Sequence, residues 1–138
     1  MTESWEPRPL PEPTPETARY WEAATEETLL LSECPDCGLV VHHPRALCPD
    51  CFADTEWRTA TGSGTVYAYS VAESMSGWPE RHLPLVVAYV ELEEGPRVLS
   101  TIERTDPDAI SVGLAVTVAF VPTDRDDVAI PVFVPAVG

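Results

Sequence analysis

Two short runs decide how the middle of this chain folds: Cys34-Pro35-Asp36-Cys37 and, after the ten residues 38–47, Cys48-Pro49-Asp50-Cys51. In each, a two-residue gap lets both sulfurs reach one ion while the intervening backbone N–H groups turn toward them, and tetrahedral zinc takes four such thiolates. The spacing therefore predicts one metal ion held by Cys34, Cys37, Cys48 and Cys51. Iron–thiolate sites use similar knuckles, so iron stays open beside zinc. Two disulfides are the competing arrangement. They suit an exported chain, whereas Met1-Thr2-Glu3-Ser4-Trp5-Glu6 lacks the basic start and apolar core of a secretory signal, and cytosolic thiols stay reduced. Four thiolates leave no open position for water or substrate, so the site is expected to be structural. Residues 39–47 between the knuckles read as a β-ribbon, with His42 and His43 as surface or core imidazoles because the ligand set is already complete.

Upstream, proline recurs at 7, 9, 11, 13 and 15, which favours an extended polyproline arm that cannot pair as an interior strand. Thr14-Pro15-Glu16 then reads as a helix start, with Thr14 as N-cap and Glu16 facing the positive end of the dipole. The helix is expected over 15–27, with Ala18, Trp21 and Thr25 or Ala24 on its apolar stripe, and a Leu-rich strand over 28–33 leads into the cysteines. Downstream of Trp57 the pattern becomes that of strands, at about 64–74, 85–93, 97–103, 114–121 and 128–134, each bounded by Gly or Pro. Glu93-Glu94-Gly95-Pro96 joins the second and third as a tight hairpin, and Asp106-Pro107-Asp108-Ala109-Ile110 is one helical turn after the third. Five short strands with that one insertion predict a Greek-key barrel of the oligonucleotide/oligosaccharide-binding (OB) type. The expected fold is thus mainly β, with an arm at 1–14, a helix and lead-in strand at 15–33, a four-cysteine zinc ribbon at 34–58 and a five-stranded OB barrel at 59–138.

The 138 residues carry 23 acidic and 8 basic side chains, a net charge of −15, and every basic residue is Arg. Such a field disfavours nucleic acid, whose binding rests on counterion release by Lys and Arg. Schiff-base chemistry on lysine is excluded. No apolar run approaches the roughly 20 residues that span a bilayer, so a cytoplasmic protein without membrane contact is expected. A cysteine nucleophile is unavailable once all four bind metal. His82 is the most plausible acid or base, in the loop Ser76-Gly77-Trp78-Pro79-Glu80-Arg81-His82-Leu83-Pro84, with a plain surface imidazole as the alternative. Trp78 and Arg81 in that loop are residue types that anchor interfaces.

The order of these features resembles the DUF35 family, zinc-ribbon plus OB-fold proteins associated with acyl-CoA metabolism. The matching residues are Tyr20-Trp21-Glu22, Leu29-Leu30-Leu31, the four cysteines, Pro44-Arg45, Trp57, Gly62-Ser63-Gly64-Thr65-Val66-Tyr67 and Val90-Glu91-Leu92-Glu93-Glu94-Gly95, so the likeness covers about residues 16–135. The resemblance implies a non-catalytic partner of thiolase-fold enzymes: thiolases, C-acyltransferases or the aldolases that shorten steroid side chains. On that reading Trp78, Arg81, His82 and Arg45 face the partner or its acyl-CoA. A stand-alone acyl-CoA carrier is the competing function, opposed by the repulsion between a −15 chain and the roughly four negative charges of CoA unless arginines converge. Nucleic-acid binding on a Tyr67, Tyr69 and Tyr89 platform comes third, for want of an electrostatic funnel.

Overall fold

The computed structural model describes residues 10–42, 44–75, 77–78, 80 and 83–136. One helix, α1 (Ala18–Thr25), precedes eight strands: β1 (Leu30–Glu33), β2 (Val40–Val41), β3 (Glu56–Thr59), β4 (Ser63–Ala72), β5 (Leu85–Leu92), β6 (Arg97–Ile102), β7 (Ala115–Pro122) and β8 (Ala129–Pro135). The first three form an antiparallel sheet in the order β2-β1-β3, and the last five close into a barrel in the order β4-β5-β6-β8-β7. A 3-10 turn at Pro107–Ala109, begun by the Asp106 carboxylate accepting from Asp108 N at 2.9 Å, lies between the third and fourth barrel strands. That is the predicted OB topology.

Alternation explains the barrel. Along β5, Val86, Ala88, Val90 and Leu92 point inward and are buried, while Tyr89 is exposed. Opposite them Val98 and Ile102 of β6, Val116 of β7 and Phe133 of β8 complete the same core. The two glycines of Gly62-Ser63-Gly64 are there for space. Gly62 sits at φ +86, where a Cβ would lie 2.5 Å from Val118 Cγ1, and a Cβ on Gly64 would lie 2.6 Å from Glu91 O.

The helix departs from expectation in its start and in part of its face, since Trp21 and Ala24 of the expected stripe do pack on the core. Residues 15–17 form a turn before α1, closed by Thr14 N donating to Thr17 Oγ1 at 2.9 Å and Thr17 N to Thr14 Oγ1 at 3.2 Å. Tyr20, Ala23 and Ala24 are the buried residues, and Ala18 and Thr25 are exposed. The stripe turns because Tyr20 buries its ring in the core and satisfies its hydroxyl against His42, so the polar tip does not hold it at the surface. The helix ends in a Schellman pattern, Thr28 N to Ala23 O at 3.0 Å and Glu27 N to Ala24 O at 3.1 Å, with Glu27 at φ 58.

The ribbon also differs. Among the described residues of 39–47, Val40–Val41 alone is strand, and it pairs with β1, as does β3. The lead-in strand is therefore the centre of the sheet. Leu29, Leu30 and Leu31 carry it into the same apolar core as the barrel, together with Tyr20.

Candidate functional site

The two knuckles repeat one local design. Cys34 N donates to Leu39 O and Gly38 N to Cys34 O; Cys48 N donates to Ala53 O and Phe52 N to Cys48 O, all at 2.8–2.9 Å. These loops bring the four sulfurs within 4.8 Å of one another. Cys34–Cys51, Cys37–Cys48 and Cys37–Cys51 Sγ separations are 3.4, 3.6 and 3.8 Å. None is a disulfide. A regular tetrahedron of thiolates about 2.3 Å from zinc has edges of about 3.8 Å, so the donor set fits one such ion. Backbone N–H groups, Cys51 first, hold the Cys48 thiol down to about 7, against burial. At Cys51 the Ala53 N–H acts downward, but the Cys34 sulfur, burial and the other two sulfurs push it up to about 12. Clustered sulfurs cannot all ionise alone, and a dication is the charge that lets them.

Two clefts border α1 and the turn before it. The first, about 300 Å³, lies between α1, the segment after β2 and the outer side of β6 and β8, and its walls include Tyr20, Trp21, His42, Pro44, Trp78, Leu99, Ile130 and Val132. It opens where the barrel is least closed, since β6 and β8 pair only at Ile102 and Phe133 and Pro131 in β8 has no N–H to give. Its polar spot is Tyr20 Oη, 3.0 Å from His42 Nε2. Burial raises the Tyr20 hydroxyl above its ordinary range. No charged side chain lines this cleft among the described residues. The second cleft, about 350 Å³, runs between the start of α1 and β3 and is lined by Glu16, Ser32, Arg45, Asp54, Thr55, Glu56 and Trp57. Here Glu16 leaves the helix dipole and accepts from Ala46 N at 2.7 Å, and Ser32 Oγ accepts from Arg45 N at 3.2 Å.

Of the residues singled out in the sequence, the four cysteines converge, Trp78 lies in the first cleft and Arg45 in the second. Arg81 and His82 lie outside the described residues, as does His43. Four of the described arginines are each taken up by an acid: Arg19 pairs with Glu22, Arg58 with Glu33, Arg97 with Glu91 and Arg125 with Asp127. Arg97 also covers the ring of Tyr67 at 3.7 Å, which occupies one member of the tyrosine platform. Sequence reasoning missed the Tyr20–His42 bond and the tethering of the ribbon–barrel connector, where Thr61 N donates to Glu94 and Thr61 Oγ1 to Glu93, both at 2.9 Å. It also missed Phe52, although the alignment of Cys37-Gly38 with Cys51-Phe52 was there to read.

A four-thiol ribbon sharing its core with an OB barrel defines a two-module zinc-ribbon and OB-fold protein. Residues 21–57 match the family model described as ChsH2, rubredoxin-like zinc ribbon domain, and residues 57–121 the one described as ChsH2, C-terminal OB-fold domain. A DUF35 domain-containing scaffold protein of Methanocaldococcus jannaschii is 34% identical over 114 residues, covering 79% of this chain and 81% of the relative. A probable enoyl-CoA hydratase alpha subunit of Thermomonospora curvata is 36% identical over 132 residues, which are 94% of this chain but only 40% of that relative's length. A chain of the solved Ltp2-ChsH2(DUF35) aldolase superposes with a TM-score of 0.81 at 35% identity, covering 92% of this chain and 99% of that one. The chain belongs to the DUF35 family.

Proposed function

We propose that this chain is a non-catalytic partner subunit of a thiolase-fold acyl-CoA enzyme in the cytoplasm, such as the retro-aldolase of steroid side-chain degradation, a thiolase or a C-acyltransferase. It stabilises that enzyme and helps shape its acyl-CoA channel. The observation that carries this reading is the likeness of 92% of this chain to a chain of the solved Ltp2-ChsH2(DUF35) aldolase. The chain's chemistry agrees. Cys34, Cys37, Cys48 and Cys51 bind one structural zinc ion, which uses every thiol, and there is no lysine to act as nucleophile. The division into arm 1–14, helix and lead-in 15–33, ribbon 34–58 and barrel 59–138 belongs to the same proposal. Trp78, Arg81, His82 and Arg45 face the partner or its acyl-CoA, with Trp78 beside the apolar cleft as the anchor.

Copurification tests it. A thiolase-fold subunit is expected with the tagged chain, and Trp78→Ala should weaken the complex by about 2 kcal/mol while the barrel stays folded by circular dichroism. Recovery of no such subunit refutes the partner reading. The carrier reading draws on the apolar 300 Å³ cleft, which suits an acyl chain. Among the described residues, Arg58 and Arg97 are paired with acids and Arg45 stands beside Glu16, Asp54 and Glu56, which disfavours the CoA phosphates there. Calorimetry with CoA esters separates the two, since micromolar binding by the lone chain would favour the carrier.

A further inference from the structure

The second knuckle carries a residue that its own backbone disfavours. After the second cysteine of each knuckle the chain must turn left-handed, at φ 79 on Gly38 and φ 64 on Phe52. Glycine adopts this at no steric penalty, whereas a bulky side chain there is strained. The ring gains little in return, because Phe52 is 73% exposed, more than any other large apolar residue described. Leu47 on the same knuckle is 50% exposed. Local strain combined with an exposed aromatic ring marks a residue kept for contact with something outside the chain.

The surroundings select the occupant. From Leu47 to Trp57 the chain has Asp50, Asp54 and Glu56 and no basic residue, and zinc with four thiolates adds a net charge of about −2. A second copy would bring the same acidic knuckle to a two-fold contact, and an anionic lipid surface would be repelled. An apolar pocket ringed by Arg or Lys on another protein fits both the ring and the field. Resting on the partner-subunit reading above, we infer that Phe52 is an anchor that inserts into a basic-rimmed apolar pocket of the enzyme subunit, held out by the metallated knuckle.

The test is binding of the full-length zinc-loaded chain to purified Ltp2, the other component named in the solved aldolase, by calorimetry, with Phe52→Gly and Phe52→Asn as variants. Both replacements tolerate the left-handed backbone, so each should keep one zinc per chain and melt no lower than the parent. Each should nonetheless bind at least tenfold more weakly, by a factor that salt leaves unchanged while the affinities of parent and variants fall together. Variants that bind as tightly as the parent overturn the anchor and leave the partner reading standing. Variants that lose zinc also overturn it, by making Phe52 part of the knuckle's own structure. A parent dimer in sedimentation that Phe52→Asn dissociates overturns the choice of occupant. A parent that binds no Ltp2 and copurifies with no other thiolase-fold subunit refutes the partner reading and this inference with it.

Discussion

Tyr20 is the point at which helix, ribbon and barrel meet, since its ring is 5% exposed in the common core and its hydroxyl reaches His42 on the segment after β2. Tyr20→Phe keeps the ring and removes the bond, so it should cost about 1 kcal/mol near neutral pH in chemical denaturation. Burial sets the folded hydroxyl above its unfolded value of 10.0. Above that pH the unfolded state releases a proton that the folded state retains, so stability falls as pH rises; below it the contribution is complete. Tyr20→Phe should therefore flatten the loss of stability above about pH 10. Gly64 makes the opposite kind of demand, for absence of atoms. An added Cβ would lie 2.6 Å from Glu91 O and 2.9 Å from Val90 Cγ1, so Gly64→Ala should destabilise the barrel by about 1–3 kcal/mol in the same measurement. Gly-x-Gly was visible in the sequence; that its second glycine yields to a neighbouring strand was not, because the crowding comes from residues about 27 positions away.

Among the elements, the barrel strands were legible and the ribbon was only half so. The run over 85–93 appears as Leu85–Leu92 and that over 128–134 as Ala129–Pro135, because period-two burial against a single core writes itself into the order of residues. The knuckle segment 39–47 was misread, since a two-residue strand has no period and its pairing with β1 is set by the metal loops. The helix stripe was legible in part: Ala24 is buried and Trp21 packs on the core, but Ala18 is exposed and α1 buries a tyrosine whose hydroxyl finds a partner 22 residues away. The four thiols were legible at once because two-residue spacing is local, whereas the 300 Å³ cleft needs five separate segments and has no local signature. Metal removal should separate these elements. Structural zinc is worth about 10–16 kcal/mol to such a site, so Cys37→Ser or a strong chelator should unfold the ribbon. The barrel's Val66, Val90, Val116 and Phe133 bury one another without it. Hydrogen exchange should show β2 and β3 losing protection first while β5 keeps it.

For the molecule as a whole, charge and shape pull on assembly in different ways. The chain carries −15, yet it exposes Leu99 at 58%, Leu47 at 50% and Tyr89 at 46%, so its surface combines apolar anchors with an acidic field. A partner that fits both brings pockets for the former and Arg or Lys for the latter, and the two contributions separate in salt. Raising ionic strength from about 0.05 to about 0.5 M shortens the Debye length from roughly 14 to roughly 4 Å. Association with the enzyme subunit should then slow several-fold while dissociation changes little, because steering acts before contact and buried contacts act after it. The proline arm should have no part in this. Its described end, residues 10–14, contains no helix or strand, and the first side-chain bonds of the turn before α1 begin at Thr14. Deleting residues 1–13 should thus leave the complex intact, but it also removes Glu3, Glu6 and Glu12 against Arg8, a net change of +2. The salt slope should flatten slightly and the affinity at high salt should stay the same, as read by surface plasmon resonance. An equal loss of affinity at low and high salt would place the arm in the interface instead.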